Sequence, residues 1–156
     1  MMFAISFVNA QNNKLPDLSL KNVDGENVNV SDYGKSGKIT IISFWATWCG
    51  PCKKELKNVS ELLPEWQEKY NVQLVAVSTD NSRNTVKVKP FVDGQGWEFD
   101  VLLDVNEDFK RAINAPNIPY TLVVDANGDI VYTHLGYVDG DEFELEKKLQ
   151  ELAAKK

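Results

Sequence analysis

Apolar residues along this chain follow two patterns, one typical of strands and the other typical of helices. Continuous apolar runs rich in β-branched residues are typical of strands that are covered on both faces. Two such runs occur, at "ITIISFWA" (39–46) and "VQLVAVST" (72–79), and shorter apolar runs occur at "EFDVLLD" (98–104) and "YTLVVD" (120–125). The first predicts a central strand, the second another buried strand, and the last two predict further strands.

Between Cys49 and Tyr70 the apolar residues recur instead at spacings of three and four. This spacing places them on one face of a helix. The residues of this face are Leu56, Val59, Leu63, Trp66 and Tyr70. Pro64 falls inside the segment, and we expect it to kink or divide the helix.

Three further helices are predicted in the second half of the chain. Residues 80–96 predict a helix, although Pro90 leaves its limits open. Residues 106–115 predict a short helix. An amphipathic helix from Asp141 to Lys155 closes the chain. Its apolar residues are Phe143, Leu145, Leu149 and Leu152.

Turn residues connect these elements. Asp24-Gly25 predicts a hairpin within "LSLKNVDGENVNV" (18–30), and Asn127-Gly128 predicts a second one that leads into the strand "DIVYTHL" (129–135). The polar stretch "SDYGKSGK" (31–38) predicts a loop. Strands that alternate with helices, followed by a late hairpin, predict a mixed α/β sheet with helices on both faces.

Length and charge narrow the functional classes. A chain of 156 residues fits one domain that buries its own core. Its net charge of −6, from 23 acidic and 17 basic residues, argues against nucleic acid or an anionic membrane as the main partner, since both require basic patches. Beyond the first residues, no segment approaches the roughly 18 apolar residues of a membrane span.

The first ten residues resemble the end of a secretory signal. A short apolar run precedes Val8-Asn9-Ala10, and this order matches a signal-peptidase site after Ala10. The usual basic region is missing, which a start inside a longer signal sequence would explain; an N-terminal strand or tail is the alternative. We expect residues 1–10 to be the remnant of a signal peptide and residues 15–154 to form a single domain.

Cys49 and Cys52, the only two cysteines, lie where the first predicted buried strand meets the long helix. Free N–H groups and the helix dipole at a helix N-terminus favour a thiolate over a thiol. The ring that the two sulfurs would close contains only Gly50 and Pro51, so the bond contributes little stability. Gly50 leaves Cys49 approachable, and Pro51 suits a first helical turn. The pair predicts a redox centre in which Cys49 attacks and Cys52 resolves.

Two other interpretations of the pair remain open. A zinc site normally takes four ligands, whereas this chain offers two cysteines and the distant His134. A purely structural disulfide is the other alternative, and the small ring argues against it.

The residues "WCGPC" (48–52), after an apolar strand, resemble the thioredoxin superfamily. A second stretch, "NIPYT" (117–121), resembles the loop in which that family places a cis-proline opposite the cysteines. The resemblance implies that Pro119 is the cis-proline and that Ile118 helps to dock an extended substrate. It covers about Leu15 to Leu152, nearly the whole chain.

The order "WCGPCKKE" resembles the TlpA-like branch of exported thiol–disulfide oxidoreductases. Plain thioredoxins carry a buried aspartate six residues before the first cysteine, and Ser43 occupies that position here. The branch often places a functional glutamate at the position of Glu55, one helical turn after Cys52. The leading hairpin and an extra segment, roughly Ser82 to Leu103, also resemble this branch.

The resemblance implies a thioredoxin-like mixed central sheet with an N-terminal β-hairpin and a central insertion. It implies an exported, for instance periplasmic, thiol–disulfide oxidoreductase that reduces disulfides in exported proteins. Cys49, Cys52 and Glu55 would be the catalytic residues. Trp48, Gly50, Pro51, Ile118 and Pro119 would form the substrate-docking surface.

The same reading implies no metal and no organic cofactor, because the dithiol carries the two electrons. The expected partners are protein thiols and disulfides and a membrane or periplasmic electron donor, with no nucleic acid, and the expected state is a monomer. Two alternatives are a non-catalytic binding module with the same fold and a peroxiredoxin-like peroxidase. Thr47 raises the peroxidase alternative, although its spacing to Cys49 does not fit.

The remaining aromatic residues and the histidine receive simpler interpretations. We expect Trp48 to form an exposed apolar surface for partners and Trp45 to pack in the interior. We expect Trp66 and Trp97 to pack in the core or against a helix. We expect His134 to lie at the surface, on a strand in which apolar and polar residues alternate. A Glu55 that is partly buried would have a raised pKa and exchange a proton with Cys52, whereas an ordinary surface glutamate is the alternative.

Overall fold

The computed structural model describes residues 13–155. Its strands are β1 (Ser19–Asn22), β2 (Asn27–Asn29), β3 (Ile39–Trp45), β4 (Val72–Ser78), β5 (Asp100–Leu103), β6 (Tyr120–Val124) and β7 (Ile130–Leu135). Its α-helices are α1 (Gly50–Tyr70), α2 (Val88–Gln95), α3 (Asp108–Ala112) and α4 (Asp141–Ala154). Short 3₁₀ helices occupy Val30–Lys35 and Thr85–Lys87. The predicted strands and helices are therefore confirmed in type and order.

All seven strands join one mixed sheet in the order β2-β1-β5-β4-β3-β6-β7. Strand β3 lies near its centre, parallel to β4 and antiparallel to β6. The hairpin of β1 and β2 extends the edge beyond β5, and β7 forms the other edge. This is the thioredoxin-like fold with an N-terminal hairpin that the sequence predicts.

Two hydrophobic clusters cover the two faces of this sheet. Alternate residues of β3 enter each cluster, because successive side chains of a strand point to opposite faces. Ile41 and Trp45 join the cluster formed with α1, α2 and α4. Ile42 and Phe44 join the cluster that contains Phe109 of α3. Helices thus cover both faces, and β3 is buried along its whole length.

Two details of the predicted elements are wrong, and one of the two alternatives for Pro64 is excluded. The segment 31–38 is not only a loop, because a 3₁₀ helix starts after Asn29, whose side-chain oxygen accepts a hydrogen bond from the Ser31 N–H. Pro64 does not divide α1, since buried residues on both sides of it, Leu63 and Trp66, pack against the core. Phe143 is 59% exposed, because it lies two residues from Leu145 and therefore on the opposite side of α4.

Residues 1–10, with the proposed cleavage site after Ala10, lie outside the described residues. Within residues 13–155, none of the helices combines the length and apolar content needed to cross a membrane.

A close backbone contact joins the β6–β7 turn to the 3₁₀ helix after β2. Gly128 has φ +88°, and a Cβ added there would lie 2.6 Å from the Gly34 carbonyl oxygen. Gly25 has a similar φ of +82°, but a Cβ there would meet nothing within 4 Å. At both positions the positive φ disfavours any residue with a side chain. Only at Gly128 would the added Cβ also clash with the backbone.

We therefore expect Gly128→Ala to lower the free energy of unfolding by about 1–3 kcal/mol more than the matched control Gly25→Ala. Urea denaturation of both variants and the wild type measures the difference. Equal losses in the two variants would show that the contact between the turn and the 3₁₀ helix is unimportant.

Candidate active site

The two cysteines lie at the boundary between the central strand β3 and helix α1. Cys49 is the N-cap of α1 and has an extended backbone, whereas Cys52 lies in the first turn. The two residues form a disulfide with a Cα–Cα distance of 5.3 Å. The predicted CxxC disulfide is therefore present at the predicted position.

The N-terminus of α1, which carries a partial positive charge, lies at the sulfur of Cys49. The backbone N–H of Cys52 donates a hydrogen bond to Cys49 Sγ at 3.3 Å, so the first sulfur takes the place of a capping oxygen. Pro51 lies at the start of the helix, where its missing N–H leaves no bond unmade. When the disulfide opens, the same N–H and the dipole of α1 stabilise a thiolate on Cys49.

Exposure distinguishes the two sulfur-bearing residues. Cys49 is 7% exposed and Cys52 is 0% exposed, so a protein partner can approach only the first. Gly50 and Pro51 are both exposed beside it. This order agrees with Cys49 as the attacking thiol and Cys52 as the resolving one.

The residues expected at the docking surface differ in how far they are exposed to solvent. Trp48 is 66% exposed, as predicted. The Ile118–Pro119 peptide bond is cis, also as predicted. Because β6 runs antiparallel to β3 and pairs Tyr120 with Phe44, the preceding loop lies at the same sheet end as the disulfide. Ile118 is half-buried, whereas Pro119 is buried and contributes shape rather than exposed surface.

A buried aspartate supports the loop between β3 and the disulfide. Asp80 is 0% exposed, and its carboxylate accepts bonds from the Thr47 N–H at 3.0 Å and the Thr47 hydroxyl at 2.6 Å. The Ser78 hydroxyl donates to the same carboxylate at 2.7 Å. The Thr47 hydroxyl is therefore engaged in fixing the backbone before Trp48 and Cys49.

Glu55 is buried on α1, one turn after Cys52. It is 5% exposed, and its Oε1 accepts hydrogen bonds from the Thr121 hydroxyl at 2.5 Å and the Ser43 hydroxyl at 3.4 Å. Residues three apart on a helix are neighbours on its surface, so the carboxyl group lies on the side of Cys52. Within residues 13–155, its second oxygen, Oε2, has no protein hydrogen bond.

Burial raises the pKa of the Glu55 carboxyl above its ordinary value, as the sequence predicted for a partly buried glutamate. Hydrogen bonds from Thr121 and Ser43 to the carboxylate act in the opposite direction, as does His134, but burial dominates. A carboxyl with a raised pKa holds its proton closer to neutral pH than an exposed glutamate does. It is thereby better matched to exchange a proton with a thiol.

This raised pKa has a consequence for stability. The folded protein retains the Glu55 proton to a higher pH than the unfolded chain, whose carboxyl has an ordinary pKa near 4.5. Folding is therefore favoured below that pH, and the contribution of Glu55 to the free energy of unfolding falls as the pH rises from about 4.5 through the folded pKa.

We expect the free energy of unfolding of the oxidised wild type to decrease over that pH range relative to Glu55→Gln, which cannot ionise. Urea denaturation of both proteins across the range measures the difference. Parallel stability curves would contradict a raised pKa at Glu55.

Sequence reasoning assigned no role in the site to three residues that contact Glu55, line its cavity or hold the loop before Cys49. Thr121 lies within an apolar run that predicts a strand, and Asp80 directly follows another such run. A polar residue at a position expected to be buried was the signal that could have identified them. His134, expected at the surface, has a side chain that is 39% exposed, and it also lines a small cavity together with Glu55 and Thr121. Trp45 and Trp66 are fully buried as predicted, and Trp97 packs edge-to-face on Trp45.

Comparison with known proteins gives consistent results. The model of the AhpC/TSA family matches residues 12–133. The thiol-disulfide oxidoreductase ResA of Geobacillus kaustophilus is 30% identical over 129 residues, which cover 83% of this chain and 71% of that protein. The thioredoxin-like protein YneN of Bacillus subtilis is 34% identical over 133 residues, which cover 83% of this chain and 74% of the relative.

Solved structures share the same fold. An uncharacterized thioredoxin-like protein from Porphyromonas gingivalis is 51% identical, with a TM-score of 0.80 over 90% of this chain and 92% of the other. A thiol:disulfide interchange protein of the thioredoxin family from Chlorobium tepidum is 25% identical, with a TM-score of 0.73 over 93% and 99%. A secreted disulfide oxidoreductase from Mycobacterium tuberculosis, 19% identical, has a TM-score of 0.69 over 87% and 96% and shares the fold.

Proposed function

Since the chain belongs to the AhpC/TSA family and is a thiol–disulfide oxidoreductase, we propose that it reduces disulfides in exported proteins through Cys49 and Cys52. The observation that carries this proposal is the Cys49 sulfur at the N-terminus of α1, which accepts the Cys52 N–H and belongs to the more exposed cysteine. The resolving cysteine lies one turn further along the helix, beside a buried carboxyl group.

The reaction begins with the reduced dithiol. The Cys49 thiolate attacks one sulfur of the partner disulfide, a new Cys49–partner bond forms, and the partner disulfide breaks. The released partner sulfur leaves as a thiolate and takes a proton from water. The N–H of Cys52 and the dipole of α1 stabilise the attacking thiolate before this step.

Resolution needs a base for Cys52. We assign this role to Glu55, whose Oε2 accepts the proton from Cys52 Sγ. The resulting Cys52 thiolate attacks Cys49 Sγ, the Cys49–partner bond breaks, and the second partner sulfur leaves. The protein disulfide then forms, two electrons have passed to the partner, and Glu55 has taken up the proton of Cys52.

Docking of the partner is proposed at the exposed surface around Cys49. Trp48 offers a large apolar side chain, and the exposed Gly50 and Pro51 leave the backbone beside the sulfur accessible. We propose that Ile118 receives an extended segment of the partner, while the buried Pro119 shapes the floor of this surface.

We further propose that the protein is exported and acts as one thioredoxin-like domain of residues 15–154. The short apolar run that ends at Val8-Asn9-Ala10 supports export. An exported reductase loses its electrons to each partner disulfide, so a second protein, membrane-bound or periplasmic, must return them. No metal or organic cofactor has a part in these steps.

Insulin reduction in the presence of dithiothreitol tests the proposal. A thiol–disulfide reductase accelerates insulin precipitation above the background of dithiothreitol alone, whereas a binding module with the same fold does not. A glutathione titration of the Cys49–Cys52 pair then gives the direction. A reductase has a potential nearer to about −270 mV than to about −120 mV.

A further inference from the structure

A small cavity lies on the side of Glu55 that faces α4 and β7. Its volume is about 10 Å³, close to what one water molecule needs. Its lining consists of Glu55, Val59, Thr121, Tyr132, His134, Tyr137, Asp141, Glu142 and Leu145. The cavity therefore connects the buried carboxyl group with polar side chains that come from a different part of the chain.

His134 joins this cavity to the solvent. It pairs with Thr121 across the antiparallel strands β6 and β7, and Thr121 is the residue that donates to Glu55. Directly opposite side chains in such a pair lie on one face of the sheet, about 5 Å apart at Cβ. The His134 side chain is nevertheless 39% exposed, so it touches both the cavity and bulk water.

The first turn of α4 fixes the histidine ring. His134 Nε2 lies 3.0 Å from Asp141 Oδ2, and the same oxygen accepts the Val138 N–H at 2.9 Å. A carboxylate can only accept, so a neutral ring donates from Nε2 and keeps Nδ1 as an acceptor.

We propose that His134, held by Asp141, carries protons between Glu55 and bulk water through this cavity. The proposal rests on the function proposed above, because it concerns the proton that Glu55 takes from Cys52. None of the residues that line the cavity belongs to the proposed docking surface, so we expect a partner docked around Trp48 to leave this route open. His134 acts through Glu55 and does not touch the reacting sulfurs.

The proton balance of this route is complete. Once Glu55 has taken the proton from Cys52, and before the Cys52 thiolate attacks, the Glu55 carboxyl is neutral. Loss of this proton to the relay prevents its return to Cys52 and so speeds resolution. In the proposed route, one water molecule in the cavity accepts this proton and gives another to His134, whose imidazole becomes an imidazolium. The imidazolium then loses its proton to bulk water, and both side chains return to their starting states.

The other titratable groups around the cavity are poorly suited to this transfer. Burial raises the pKa of Tyr137 to about 12 and also raises that of Tyr132, so neither phenol exchanges protons near neutral pH. Glu142 accepts bonds from the Tyr137 hydroxyl at 2.7 Å and the Gly140 N–H at 3.2 Å. Asp141 is held by His134 and Val138. An imidazole, in contrast, exchanges protons readily near neutral pH.

The test measures resolution of a preformed Cys49 mixed disulfide in a single turnover, as a function of pH, with and without added imidazole. We expect His134→Ala to slow resolution at neutral pH by about tenfold, less than the ~10²–10⁴ of a direct acid–base group. Added imidazole, which fits the space that the substitution opens, should restore most of the rate. In the Glu55→Gln background, His134→Ala should slow resolution no further.

Two variants control for structure. Thr133→Ala changes the neighbouring residue of β7, which is exposed, and should resolve at the wild-type rate. His134→Gln keeps a donor for Asp141 but carries no proton, so it should fold normally and show the same loss as His134→Ala.

Failure of the proton relay through His134 and failure of the proposed reductase function give different results. An unchanged pH profile in both His134 variants, or a loss that imidazole does not restore in His134→Ala, would overturn the relay while the wild type still turns over. A wild type that fails to reduce insulin would instead overturn the proposed function.

Discussion

Replacing either cysteine by serine is expected to abolish insulin reduction, but the two variants should fail at different steps. Cys52→Ser keeps the more exposed Cys49 at the helix N-terminus, so it should attack a disulfide and stop as a stable mixed disulfide. Cys49→Ser keeps only the fully buried Cys52 and should form that adduct slowly or not at all. Mass spectrometry after reaction with a small aromatic disulfide measures the adduct.

The reduced wild type is the control for this experiment, because it also lacks the disulfide bond. All three proteins should have similar free energies of unfolding, since none of them contains the disulfide ring. The assignment of attacking and resolving thiols would be wrong if Cys49→Ser formed the adduct as fast as Cys52→Ser. In cell extracts, Cys52→Ser should also retain natural partners as mixed disulfides.

The second large effect is expected from Glu55→Gln. The amide keeps the shape of the side chain but cannot accept a proton from Cys52 at neutral pH. Because direct general acid–base groups contribute about 10²–10⁴-fold, we expect resolution of a Cys49 mixed disulfide to slow by about 100-fold or more. Stopped-flow detection of the released thiol measures this step separately from the first attack, which should keep its rate.

Glu61→Gln provides the matched control, because Glu61 lies on the same helix but is exposed. It should leave resolution unchanged. Glu55→Gln should also be more stable than the wild type at neutral pH, because a carboxyl with a raised pKa no longer has to ionise in the interior. A slower yet more stable variant cannot be explained by misfolding. Equal resolution rates in the two variants would remove Glu55 from the mechanism.

The local part of the site could be predicted from the sequence because it lies within one strand-to-helix junction. Cys49, Cys52 and Glu55 are related by helical spacing alone, and a buried strand followed by "WCGPC" fixes where that helix begins. The same reasoning correctly predicted the order of strands and helices. It left open whether Pro64 kinks or divides α1. The helix is not divided, because packing of Leu63 and Trp66 in the core holds both of its parts in place.

The surroundings of Glu55 could not be predicted in the same way. Thr121 and His134 come within reach only through the pairing of β6 with β3 and β7, and a shift of one residue would turn both side chains to the other face. The sequence does not fix that register. His134 was therefore expected at the surface, although its ring lies against the cavity and Asp141.

The central claim is that the fold makes one sulfur a reactive thiolate. The direct measurement is the rate at which iodoacetamide alkylates Cys49 in the reduced protein as a function of pH, followed by mass spectrometry of the labelled peptide. We predict half-maximal reactivity well below pH ~8.5, the ordinary value for a free thiol. A profile that coincides with that of cysteine in an unstructured peptide would contradict the claim.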